Sequence, residues 1–165
     1  MSLAASLLPE FDQEFAALRR CLERLPEERL DWSPHERSFS LRGLATHLLT
    51  LPHWALLTLE HDELDMDPEG DHNAPIPDLG PALETYDGRV VDLREALAAC
   101  SDERLLAEWT FRVGGQVQFV MPRVAVLRSF VMNHMIHHRG QLTVYLRLAG
   151  VAVPAVYGPS ADEGS

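Results

Sequence analysis

The sequence predicts an all-α protein: a four-helix bundle with one long crossover loop and a small β-hairpin before the last helix. Three observations carry that expectation. Four long segments repeat apolar residues at three-to-four spacing, the helical period. An acidic, proline-rich stretch over 61–79 has no periodicity and separates the second segment from the third. A short alternating stretch, "EWTFRVGGQVQFVM", lies just ahead of the fourth.

The first helix is expected over 3–25, with Leu7, Phe11, Phe15, Leu18, Leu22 and Leu25 on one face and a stop before Pro26. The second runs over about 41–60, with Ser40 as its N-cap. Pro52 inside it removes one backbone hydrogen bond and predicts a kink. After the 61–79 loop a third helix spans about 80–99, and a helical turn follows Ser101. Gly114-Gly115 is the hairpin turn within 108–121. Pro122 opens the fourth helix, where its missing N–H costs nothing, and Gly150 stops it after Ala149. The tail "VPAVYGPSADEGS" reads as extended and packed over the bundle. No repeat or linker divides the chain, so 1–165 is read as one domain, long enough to bury its own core.

Charge and composition narrow the function. A net charge of −11 repels phosphate backbones and anionic membranes, so no nucleic acid and no membrane is expected as a partner. All fourteen basic residues are arginines. With no lysine, a Schiff base, a phosphate-loop lysine and a lysine general base are excluded. Cys21 and Cys100 are far apart and form no CxxC, which fits a reduced, cytoplasmic protein. The N-terminal "MSLAASLLPEFDQEF" lacks a positive n-region, so no signal peptide is expected. The most apolar stretch, 43–59, falls short of a membrane span.

The stretch "NHMIHHRGQ" places three histidines in five positions of the fourth helix. On a 100° wheel, Leu127, Phe130, His134, His138, Gln141, Tyr145 and Leu148 share one stripe, which is expected to be the core face. His134 and His138 lie one turn apart, so both rings can converge on one cation. His137 falls off that stripe and is the poorer partner. A third ligand could come from His47 in "LATHLLTL", though periodicity cannot place it, because the second helix is apolar nearly all round. Gln141 could orient a ligand. Arg139 is expected to make a surface salt bridge, with Asp162 or Glu163 as candidates. The acidic stretch from Asp65 imitates an EF-hand loop, but its twelfth position is Ile76, and a solvated loop is expected.

The stretches "LRGLATHLL", "NHMIHHRGQLTVYLRLAG" and "VPAVYGPSADE" resemble the DinB family of four-helix-bundle metalloproteins (DinB/YfiT-like), over nearly the whole chain. The resemblance implies a divalent metal on His47, His134 and His138. It also implies a homodimer, for which an exposed apolar excess on the second helix is a candidate surface. Three neutral imidazoles leave a coordination position open; zinc fits such a set and nickel also suits it. Relatives that transfer low-molecular-weight thiols such as bacillithiol or mycothiol make a metal-dependent thiol S-transferase the expected activity. The alternatives are a noncatalytic metal-binding stress-response or interaction protein, and a metal-dependent hydrolase.

Overall fold

The computed structural model describes residues 2–72 and 74–164. Helix α1 (Leu3–Leu22) starts where the Ser2 hydroxyl accepts the Ala5 N–H. It ends three residues earlier than the sequence predicts. The N–H groups of Arg24 and Leu25 reach the carbonyls of Cys21 and Leu22, and this tightening leads into a 3₁₀ turn at Glu27–Arg29. Helix α2 (Leu41–Glu60) begins at Ser40, whose Oγ accepts the Gly43 N–H at 3.1 Å, and it continues through Pro52. Helix α3 (Leu79–Ala99) and the short α4 (Asp102–Leu106), capped by Ser101, follow.

The hairpin forms as expected, between β2 (Glu108–Val113) and β3 (Gln116–Pro122). Gly114 and Gly115 have φ of 55° and 78°, the positive values that a tight primed turn requires. The 61–79 segment departs from expectation. Its residues Glu63–Met66 form a strand, β1, parallel to β2, giving a three-stranded sheet in the order β1-β2-β3. Four residues of alternation, hidden in a run of acids, were too short a signal. One of those acids is structural: the Asp65 carboxylate accepts the Gly115 N–H at 3.0 Å, tying the segment to the hairpin turn. Asn73, also within the expected loop, lies outside the described residues.

The last helix runs without a break through α5 (Arg123–Val126), a π-helical segment (Leu127–Asn133) and α6 (His134–Leu148), and Gly150 with φ 76° closes it. Helix α2 packs on α3 and on the last helix, and α1 packs on α3 and α6. Leu18, Leu22, Leu48, Leu97, Met135 and Leu142 meet between them, fully buried. The apolar excess of the second helix is spent here, inside the chain: Leu44, Leu48, Leu51, Ala55 and Leu59 are all buried. Among the described residues, no helix is long and apolar enough to cross a membrane.

Two expectations about the last helix are corrected. The core face of α6 is Met135, Arg139, Leu142 and Leu146, about a quarter turn from the stripe through His134 and His138. Leu148, expected in the core, is 59% exposed. Arg139, expected at the surface, is 2% exposed and pairs with Glu14 of α1 at 2.6 Å. Its guanidinium also donates to the Glu14 carbonyl and to the Tyr157 hydroxyl.

Arg123 is the second buried cation. Its five N–H groups are all used, on the carbonyls of Thr58, His61, Ala107 and Glu108 and on the Asp62 carboxylate. The end of α2, the start of the β1 segment and the junction of α4 with β2 therefore meet on one guanidinium.

The C-terminal tail lies across the helix ends, held by two carboxylates. Asp162 accepts from Arg147 and from the Val153 N–H, and Glu163 from Arg24 and the Ala155 N–H. The Arg147 hydrogen bond and the Val153 N–H hold the Asp162 carboxyl below its ordinary value. A depressed carboxyl stabilises above its unfolded value, and the contribution is lost as pH falls through the folded one. Protection of the amides in 151–164 against hydrogen exchange, relative to the unfolded chain at the same pH, should therefore fall in acid, below the ordinary carboxylate range, and Asp162→Asn should remove most of that acid dependence.

Candidate metal centre

Helix α2 supplies His47 and the last helix supplies His134 and His138. Their packing brings the three rings together. His134 Nε2 lies 3.1 Å from His47 Nε2 and 2.9 Å from His138 Nε2. Each residue offers one nitrogen within 4.8 Å of the others, a group that could hold a metal ion. Among the described residues no carboxylate or thiol joins it. His137 is exposed and outside the group, its ring edge-on to that of His138.

The outer nitrogens set the proton positions. His134 Nδ1 lies 3.2 Å from the Phe130 carbonyl, and His138 Nδ1 lies 2.7 Å from Gln141 Oε1. A carbonyl oxygen only accepts, so each Nδ1 carries the hydrogen and each Nε2 presents a lone pair. Two lone pairs then face one another across 2.9 Å with no proton between them. That contact is repulsive unless a cation sits between the rings. Nitrogens at this spacing both reach one ion at about 2.0–2.1 Å, subtending about 90–100° at it. The donor set fits a divalent transition metal.

Burial holds the His138 imidazole below its ordinary value, and the neighbouring His134 and His137 act in the same direction against the Gln141 hydrogen bond. The ring therefore favours its neutral form, the one that ligates. Phe39 stacks parallel to His47, 6.0 Å between centroids, and meets His138 edge-on.

Beside His47 and His134 opens a cavity of about 470 Å³. Helix α2, the sheet and the π-helical segment wall it with Trp54, Leu57, Met66, Phe111, Phe119 and Phe130. The π-helical turn sits immediately before His134 and carries Phe130. Phe130 thereby serves twice, its carbonyl fixing a histidine tautomer and its ring lining the cavity. The sequence reading brings His134, His138 and Gln141 onto one stripe, and the structure joins His47 to them. Phe39 and the cavity carry no such local pattern. A signal for the latter existed: Phe111 and Phe119 stand on the two arms of the hairpin that Gly114-Gly115 turns, where they pair and both line the cavity.

The DinB family model matches residues 1–165. The chain belongs to the DinB family. This DinB-family chain is similar to the Bacillus subtilis (strain 168) protein YrdA, with 29% identity over 157 residues, 94% of this chain and 89% of that one. Among solved structures it is similar to a DinB-like protein from Bacillus cereus ATCC 10987, with 24% identity, a TM-score of 0.71, and 92% and 95% of the two chains covered. A DinB-like protein from Bacillus subtilis matches at 22% identity and a TM-score of 0.71, with 92% and 96% covered. These structural likenesses show the DinB fold.

Proposed function

We propose that the protein is a divalent-metal-dependent enzyme that transfers a low-molecular-weight thiol to an electrophile. His47, His134 and His138 are the ligands of one zinc or nickel ion in this reading. The observation that carries it is the approach of the His134 and His138 Nε2 atoms to 2.9 Å, with His47 closing the triangle. The reading takes the four long helices as the family's bundle and the whole chain as one domain, in a cytoplasmic homodimer. The free thiols of Cys21 and Cys100 suit a reducing compartment, and exposed Val144 and Leu148 on α6 offer apolar surface to a second copy.

When bound, the ion supplies positive charge that favours the thiolate over the thiol. The chain's own residues do the rest. The Phe130 carbonyl and Gln141 hold the Nδ1 protons and keep the ring planes fixed. Phe39 packs against His47 and His138, and the aromatic walls of the cavity flank His47 and His134 and give the reacting groups an apolar surround.

Metal analysis of the purified protein tests the first half of the proposal. Conjugation assays with bacillithiol, mycothiol and glutathione against an aryl electrophile test the second. Turnover that stops on chelation and returns with zinc or nickel supports the reading. Stoichiometric metal with no turnover of any thiol leaves a noncatalytic metal-binding protein instead. Gln141→Met, which loses the acceptor but keeps the length, is expected to weaken metal binding about 10–100-fold in competition with a chelator. Gln141→Glu, which keeps an acceptor there, should restore it.

A further inference from the structure

The walls of the cavity beside the triad have a composition that the metal reading does not explain. Trp54, Phe111, Phe119 and Phe130 form a continuous aromatic run, with successive ring centroids 5.3, 5.4 and 4.5 Å apart. Leu51, Leu57, Leu64 and Met66 fill the space around them. The chain has fourteen arginines, yet among the described residues none lines the cavity. Its one carboxylate is Asp65, held in place by the Gly115 N–H. Besides the triad, the remaining ionisable groups are His53 and His72. Burial, with Arg89 nearby, keeps His53 toward its neutral form, and His72 Nε2 lies 2.6 Å from the Asp67 carbonyl.

We propose that this cavity takes the apolar body of an uncharged or cationic aromatic molecule and rejects a body that carries a carboxylate or phosphate away from the histidine end. The inference rests on the proposed function for which end reacts, the end nearest His47 and His134, and for naming the occupant as the electrophile. An anion entering here would lose its hydration and find no cationic side chain to replace it. A cation meets aromatic ring faces and the Asp65 carboxylate. A neutral aromatic molecule gains from apolar contact alone, in a volume usual for small-molecule sites. Low-molecular-weight thiols carry mostly polar backbones and match these walls poorly. The cavity therefore belongs to the electrophile.

Three matched probes separate the possibilities: 1-naphthalenemethanol, 1-naphthylmethylammonium and 1-naphthoate. Each is titrated calorimetrically into the full chain freed of metal by a chelator, so that a carboxylate cannot ligate an ion. Salt at 0.5 M reduces the screening length to about 4 Å and suppresses the effect of the overall charge. The alcohol and the ammonium should bind at least tenfold more tightly than naphthoate. The ammonium should also bind more tightly than the alcohol, and Asp65→Asn should remove that difference. Leu57→Arg, shown by circular dichroism and melting to be folded, should reverse the order and favour naphthoate.

Equal binding of all three probes by the wild type, or no binding of any, overturns the inference; so does an unchanged order in folded Leu57→Arg. If that variant does not fold, the wild type and Asp65→Asn decide. Metal stoichiometry is read separately. A protein that selects these probes but takes up no metal keeps this inference and sinks the proposed function.

Discussion

Replacing His138 by Ala is expected to abolish stoichiometric metal binding. The wild type should hold one divalent ion per chain after dialysis, and the variant less than about a tenth of that. The substitution removes one of three nitrogens and also the partner of Gln141. Two imidazoles remain, one on each helix, without the second donor on α6 that completes the triangle. Melting provides an independent readout. Free metal at 100 times its Kd stabilises a folded site by about 2.7 kcal/mol, and that increment should vanish in the variant. His137→Ala is the matched control, because it removes an imidazole one position away that lies outside the group. Full occupancy in His138→Ala would reject the ligand set.

Replacing Arg139 by Met should cost about 3–5 kcal/mol of stability, the usual penalty for orphaning one member of a buried ion pair. Glu14 would remain at 7% side-chain exposure with its guanidinium partner gone and only the Tyr157 hydroxyl to serve it. At 2–4 °C per kcal/mol for a chain of this size, the melting temperature should fall by about 10 °C. The double variant Glu14→Leu with Arg139→Met should recover most of the loss, since no charge is then left buried. Metal stoichiometry should be unchanged in both, because Arg139 lies on the core face and not on the histidine stripe. A double variant as unstable as the single one would assign the cost to packing rather than to charge.

Much of the helical frame is legible in the sequence because its signals are local. Ser40, Ser101 and Gly150 cap or close their helices where expected, and Gly114-Gly115 turns the hairpin. The histidine pair is legible for the same reason, since one turn of helix is a local relation. What failed is what a uniform helical wheel cannot carry. The π-helical segment at Leu127–Asn133 advances less than 100° per residue. Carrying the stripe back through it counted Leu127 and Phe130 as apolar support for the histidine face, whereas in the regular α6 the buried side is that of Met135, Leu142 and Leu146, which includes Arg139. Position on the wheel also says nothing about a partner on another helix, so Glu14 could not be foreseen. Nor could the parallel pairing of Glu63–Met66 with β2, which joins residues nearly fifty positions apart.

The guanidinium of Arg123 links the cavity wall to the rest of the protein. Four carbonyls and a carboxylate from three chain segments converge on it, so none of those segments can separate without stranding donors that the others share. Native-state hydrogen exchange should show the sheet, α4 and the last turn of α2 opening together as a single cooperative unit. Breathing of one strand alone would then not admit a ligand. Molecules reach the histidines either through the mouth already present or through a concerted lift of the whole sheet.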